Sequence, residues 1–392
     1  MSTILTCNSG SSSIKLGVFE SSSLKQITTA SVENIGQGQA TFIYDKSERP
    51  ISAATHTEAL QHLFAWFENQ QMPGVIAIGH RIVHGAGKFD QPTIINSDVI
   101  AKLQSAKDID PDHMPAALEA IDEAQRAFPV AKQIACFDTA FFHDLPKRAQ
   151  LFSLPRKYYE AGLRRYGFHG LSYQYLLRDF ESREGGHAAR GKVVLAHLGS
   201  GASLAAVQNG KPIDTTMGFT PASGITMSTR SGEIDPGIVL YLSKKYRLDA
   251  VGFNELVNHK SGLLGISGTT ADMHELLQSQ ANDVYAAEAV EIFCYQISKT
   301  IGAYAAAMGG INSLIFAGGI GERSAEIRAR ICENLRFLGI QLDAERNKNG
   351  HRLISRDDTD VGVHVIATDE AYELAHLTKK LIYKKGEVKW KP

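Results

Sequence analysis

The chain has 392 residues, 43% of them hydrophobic and 21% charged, with a formal net charge of −1. That length implies two domains, and that composition an ordinary soluble protein. Lacking a basic block, the chain offers nucleic acid or an anionic membrane nothing to bind. No apolar run reaches the roughly 20 residues of a membrane span, and no secretory leader is expected. The four cysteines, at 7, 136, 294 and 332, lack metal-ligand spacing and read as reduced thiols of a cytosolic protein.

In chain order, Thr3 to Cys7 reads as a strand, Asn8 to Ser13 as a Gly/Ser turn and Ile14 to Glu20 as a second strand. Weak alternation continues from Leu24 to Ser31. His56 to Phe67 carries apolar residues at helical spacing. Val75 to Gly79 and Gln133 to Asp138 read as buried strands, with an amphipathic helix from Met114 to Phe128 between them. Polar, proline-bearing sequence from Leu145 to Pro155 marks a boundary. Lys192 to Val207 then repeats strand, Gly/Ser turn, strand. A shift of 190 positions lays Ile4 on Val194, Leu5 on Leu195, Ser13 on Ser203 and Ile14 on Leu204, as a duplicated domain would. Helices are expected near Pro236–Lys245, Phe253–Asn258 and Asp283–Met308. Asn312 to Glu322 is a strand running into glycines, followed by a helix from Ser324 to Leu338. Gly362 to Thr368 is a strand leading into a last helix from Glu370. Hairpins mixed with strand–helix units imply an α/β architecture with parallel pairs.

Three Gly/Ser turns follow buried strands: Asn8–Ser13, Gly199–Ser203 and Gly318–Glu322. Glycines let successive N–H groups approach an anion closely, and serine hydroxyls add donors. None matches a Walker or Rossmann pattern. One such loop alone would read as a tight turn, whereas three together suit a nucleotide with several phosphates. A second group is cationic or ionisable: His80, Arg81 and His84 in GHRIVHG, His113 after Asp112, Asp138, His169 in RYGFHG, and Arg230 in MSTRSGEIDP. Two arginines offer paired donors to carboxylate or phosphate oxygens, and a histidine beside them can steady charge on a transferring phosphoryl group. Zinc at His80 and His84 is disfavoured, because i, i+4 spacing aligns side chains on a helix and this stretch reads as strand and turn.

The ordered motifs NSGSSSIK, GHRIVHG, CFDTAF, RYGFHG, HLGSGAS, DTTMGFTP, TRSGEIDPG, FAGGIGE and ATDE resemble, nearly end to end, the acetate kinase family (acetate, propionate and butyrate kinases). The resemblance implies two duplicated ribonuclease-H-like domains of the actin/sugar-kinase-like superfamily with a cleft between them. Residues 1–148 would form the first, with a C-terminal helix of about 372–392 returning to it, and 149–371 the second, nucleotide-binding domain. It also implies a cytoplasmic homodimer that transfers the ATP γ-phosphoryl group to a carboxylate and requires magnesium, with manganese as an alternative. By the same resemblance Asn8 and Glu370 hold the metal, and Ser11, Ser13 and Lys15 lie near the phosphates. Arg81 and Arg230 bind the carboxylate and the phosphoryl group, and His169 stabilises the transition state with His113 nearby. Since a carboxylate acceptor is already deprotonated, Asp138 orients and is not a base. His197, Gly199 and Gly201 line the phosphates, Asp272 lies on the nucleotide side, and Gly318, Gly319 and Gly321 face the adenosine. Val83, Phe168 and Pro221 form the acyl pocket.

Several positions depart from the family pattern: Ser200 for asparagine, His274 for arginine, Ala222-Ser223 for Leu-Glu, Ser228 for glycine, and Asp112 where an apolar residue borders the acyl pocket. These suggest a changed donor or acyl preference. Two other classes compete. A nucleotide-driven switch protein would make no acyl phosphate, and a sugar kinase would use Asp138 as a base.

Overall fold

A computed structural model describes residues 2–70, 72–107 and 109–383. They fall into two compact units. The first holds the described residues up to His143, with Gly170–Ser172 and those from Asp369 onward; the second holds Asp144–His169 and Tyr173–Thr368.

The first unit is built on an eight-stranded sheet. Its strands are Thr3–Ser9 (β1), Ile14–Glu20 (β2), Gln26–Glu33 (β3), Ala40–Tyr44 (β4), Ser47–Ile51 (β5), Val75–Ile82 (β6), Thr93–Ile94 (β7) and Lys132–Phe137 (β8), in the order β5-β4-β3-β2-β1-β6-β8-β7. The strands β1 to β5 form an antiparallel meander, and β1, β6 and β8 run parallel. Both faces are covered, which is why Ile4 and Leu5, on opposite sides of β1, are equally buried. On one face pack His56–Asn69 (α1) and Met114–Ala127 (α2), burying Leu5, Leu16, Leu60, Leu63 and Phe64 in one cluster. Thr55 and Glu58 cap α1 in a reciprocal box. On the other face lies the C-terminal helix, Glu370–Ile382, whose Leu374 and Ala375 pack against Ile4, Phe19, Ala77 and Ile134. Residues 384–392 of the expected C-terminal helix lie outside the described residues.

The second unit has five strands: Lys192–Leu198 (β9), Ala202–Gln208 (β10), Lys211–Thr215 (β11), Ser313–Ala317 (β12) and Gly362–Val365 (β13), in the order β11-β10-β9-β12-β13. An antiparallel hairpin pair again joins parallel strands, so β3-β2-β1-β6-β8 and β11-β10-β9-β12-β13 share one topology. The single 190-residue shift does not hold along the whole hairpin, however. Ser9 pairs with Ile14 across four turn residues, but Leu198 pairs with Ala202 across three. Gly170–Ala189 (α3) precedes β9. The other helices include Pro236–Tyr246 (α4), Ala250–His259 (α5), Met273–Ser279 (α6) and Val284–Met308 (α7), followed by Gly318–Arg323 (α8) and Ala325–Glu333 (α9). The helix α7 packs against β9 and β10 and buries Ala289, Phe293, Ile297 and Ile301.

The structure corrects some sequence boundaries. The helix expected from Ser324 to Leu338 ends at Glu333, and a 3-10 turn, Arg336–Leu338, closes on Gly339 with φ +83°. Gly318–Glu322, expected as a turn, makes up most of the short helix α8.

His80 on β6 has an energetic rather than a metal-binding role. It is buried, and its Nε2–H donates to the Gln133 side-chain oxygen at 2.7 Å. Burial pushes its pKa down to about 4, with that hydrogen bond opposing the shift. His84 Nδ1 accepts from the Ala86 N–H. A histidine with a depressed folded pKa contributes its full stability above the unfolded value of about 6.5. That contribution is lost as pH falls toward 4. Between about pH 7.5 and 5, the wild type should therefore lose roughly 2 kcal/mol more stability than His80→Gln. Urea unfolding at the two pH values measures this; equal losses would contradict it.

Candidate functional site

In the first unit, three parallel strands end side by side. Cys7 on β1 lies opposite His80 on β6, and Arg81 lies opposite Cys136 on β8. Asn8, Arg81 and Asp138 therefore line the carboxyl edge of the sheet, where open α/β sheets place ligands. Arg81 donates to Asp138 Oδ2 from Nε at 3.0 Å and from Nη2 at 2.6 Å, and to Asn8 Oδ1 from Nη1 at 3.2 Å. Asn8 Nδ2 donates to Glu370 Oε2 at 3.2 Å, and the Ser172 hydroxyl donates to the other Glu370 oxygen. Glu370 Oε2 stands 3.8 Å from Arg81 Nε.

Burial pushes the Asp138 carboxyl up, the Arg81 guanidinium opposes that, and the Glu370 charge adds to it. Burial alone would lower Arg81, but Asp138, Glu370 and Asp110 together hold it above its ordinary value. One guanidinium thus faces three carboxylates, a local excess of negative charge that favours a cation.

The donors fit magnesium. Glu370 Oε2 lies beside the Asn8 side chain, whose Nδ2 donates to it and whose Oδ1 accepts from Arg81, and Asp138 Oδ1 is buried. Magnesium takes one or two carboxylates and completes its shell with water and substrate phosphate. Among the described residues no group of three His, Cys, Asp or Glu gathers as a metal site.

The tip of the first hairpin is closed by the Gly10 N–H bonding Ser13 O at 2.8 Å, and His56 Nε2–H donates to Gly10 O. Ser11 and Lys15 are exposed and Ser13 is half-buried. His113 pairs with the buried Asp110, 2.8 Å from Nδ1 to Oδ1. Asp112 is exposed, so the buried carboxylate of this segment is Asp110. Gly170 is fixed by packing, since a Cβ there would lie 1.9 Å from the Asp138 carbonyl oxygen.

The second unit gathers the other set. His169, at the N-cap of α3, adopts the left-handed conformation with φ 60°, which costs about 1 kcal/mol for a non-glycine residue and must be held by its surroundings. Its Nδ1 lies 2.9 Å from Ser203 Oγ, which in turn lies 2.6 Å from the Tyr173 hydroxyl. Burial raises the Tyr173 pKa, so it stays a protonated donor. The His197 ring lies 4.4 Å from that of His169, centroid to centroid. Gly201 abuts both candidate groups: a Cβ there would sit 3.3 Å from His169 Nε2 and 3.6 Å from Arg230 Nη1. The Gly199 N–H bonds Gly201 O at 3.1 Å, and the carbonyl of Ser200 accepts from Ser228 N at 3.1 Å. That bond fastens the turn to the loop carrying Arg230. Arg230 Nη1 reaches Pro221 O at 3.4 Å.

Glu322 and Arg328 were not anticipated. Glu322 Oε1 accepts from Gly318 N at 2.9 Å and Thr368 N at 3.1 Å, joining the FAGGIGE and ATDE segments. The Gly318 N–H is thereby engaged, and a Cβ at Gly318 would meet Leu198 O at 2.7 Å. Arg328, fully buried, donates to the carbonyls of Gly321, Glu322 and Asn347 and to the Asn347 side chain. Gly319 and Gly321 sit on α8. Asp272, exposed, caps α6 through the N–H groups of His274 and Glu275. Val83 and Phe168 are buried and Pro221 half-buried.

The acetokinase family profile matches residues 3–376. The chain belongs to the acetokinase family. It is a phosphotransferase with a carboxyl group as acceptor, on a two-domain actin-like fold. It is 41% identical to an acetate kinase of Rhodopseudomonas palustris, over 95% of this chain and 96% of that protein. It is 37% identical to an acetate kinase of Methylocella silvestris, over 97% and 98%. Among solved structures, a propionate kinase from Francisella tularensis matches with a TM-score of 0.91 at 34% identity, covering 97% of this chain and 100% of that one. The acetate kinase of Porphyromonas gingivalis matches with 0.88 at 35%, with the same coverage.

Gly201 gives a direct test of the second set. Gly201→Ala should crowd His169 and Arg230 and lower kcat about 10- to 100-fold, while the thermal midpoint stays close to that of wild type. An unchanged kcat would show that the turn does not position these groups.

Proposed function

We propose that this chain transfers the γ-phosphoryl group of ATP directly to acetate, with propionate as a secondary acceptor, giving acetyl phosphate and ADP reversibly. The observation that carries this reading is Arg81, held at three of its five N–H groups by Asp138 and Asn8. Its orientation is set before a ligand arrives, and two N–H groups remain to bind an acceptor carboxylate. The acceptor oxygen attacks the γ-phosphorus, the bond to the ADP oxygen breaks, and ADP leaves with that electron pair. No proton moves at the acceptor, so no general base is needed, and the Asp138 ion pair with Arg81 suits an orienting role.

In this reading Asn8 and Glu370 hold magnesium, which neutralises charge on the nucleotide phosphates when bound. Arg230 and His169 bind the phosphoryl oxygens. Their orientation comes from the Gly201 turn and, for His169, from Ser203. His197, Gly199 and Gly201 line the phosphates, and Gly319 and Gly321 face the adenosine. Val83, Phe168 and Pro221 form the acyl pocket.

The protein acts as a cytoplasmic homodimer. Its four cysteines are free thiols, and α4 leaves Ile238, Leu240, Tyr241 and Tyr246 exposed for a second copy to cover.

Arg81→Ala and Arg230→Ala should each lower turnover by about 10²- to 10³-fold with the far-UV circular dichroism of wild type. Steady-state kinetics with ATP and a panel of acetate, propionate and butyrate measures this. Near-normal turnover in a folded variant would remove the arginine from the mechanism.

A further inference from the structure

We infer that Asp110 is a positioning residue that fixes which ring nitrogen of His113 meets a ligand. Asp110 is 4% exposed, and its Oδ1 lies 2.8 Å from His113 Nδ1. Its other oxygen is buried and takes no hydrogen bond. The carboxylate does not cap α2: the N-cap there is His113, and no side chain caps the first turn, while only the backbone carbonyl of Asp110 accepts from Met114 N. Helix capping therefore does not account for a buried carboxylate, which is costly to desolvate. Among the described residues, the one hydrogen-bond partner of its side chain is His113.

An ionised carboxylate only accepts, so His113 Nδ1 must carry the proton. The remaining ring nitrogen, Nε2, is then the atom available to a substrate oxygen or hydroxyl. Asp110 also acts on Arg81, adding to the charges that hold its guanidinium protonated. Removing Asp110 would free the ring to rotate and to move its proton to Nε2, where it would present the wrong atom.

The inference rests on the place near His169 and the phosphoryl group that the family resemblance implies for His113, and one arm of its test does not depend on activity. The imidazole nitrogens of the full-length protein, labelled with 15N at histidine, are observed at about pH 9, where an ordinary imidazole is neutral. His113→Gln identifies the signal. Wild type should show the Nδ1–H tautomer, and Asp110→Asn, whose amide oxygen still accepts, should retain it and most of kcat. Asp110→Ala should shift the ring toward Nε2–H and lower kcat about 10- to 100-fold, with KM for ATP within about twofold.

A purely structural Asp110 would lower the thermal midpoint in Asp110→Ala while the tautomer stayed put, and that result would overturn the inference. So would a shifted tautomer with unchanged kcat. If wild type formed no acyl phosphate, the proposed function would fail while the nitrogen spectrum still reported on Asp110 and His113.

Discussion

The ion pair between Arg81 and Asp138 is the interaction on which the first unit's chemistry depends. Taking both charges out of water is costly, and the cost is offset only where geometry is tight and other hydrogen bonds complete the shell. Here Asn8 supplies such a bond and Glu370 adds a second negative charge. Nothing local in the sequence brings these four residues together. They meet because β1, β6 and β8 are parallel and in register, so their carboxyl ends fall on one edge, and because the C-terminal helix begins there. The same helix buries Leu374 and Ala375 against the sheet, so the packing that stabilises the unit also delivers Glu370.

The second unit repeats the topology with a different inventory. His197 is the penultimate residue of β9, Gly318 follows β12, and Thr368 lies shortly after β13, again at the carboxyl ends of parallel strands. The two edges differ in how they treat an anion. The first carries more carboxylates than cations, which favours a cation. The second presents histidines, an arginine and glycine backbone, which suit phosphate oxygens directly. Glu322 spends its carboxylate on two backbone N–H groups, tying the glycine segment to the residue that precedes Asp369.

Much of the fold was legible in the sequence where one signal dominated. Apolar runs flanking a Gly/Ser turn gave both central hairpins, and apolar residues at helical spacing gave α1. The outer hairpin β4–β5 was missed because it is short and largely exposed. The helix α3 was missed because its apolar face is weak and Gly185 interrupts it with φ 85°. Among site residues, Arg81 and Asp138 stood out as charged groups in the sequence, Asn8 and Glu370 came from family resemblance, and the sheet register supplies the physical reason they meet. The roles of Glu322, Arg328 and Asp110 escaped notice because each works through a partner distant in sequence or hidden by burial. Asp110 alone left a local trace, an aspartate three residues before a histidine at a helix start. Attention went instead to Asp112, which the chain turns to solvent.

The central claim is that the chain makes an acyl phosphate, which neither a switch protein nor a sugar kinase would do. Incubating the full-length protein with ATP, magnesium and acetate in the presence of hydroxylamine tests it most directly, because an acyl phosphate reacts to give a coloured hydroxamate. The account predicts hydroxamate formation that matches ADP release and stops when acetate is omitted. ADP release without hydroxamate would contradict it.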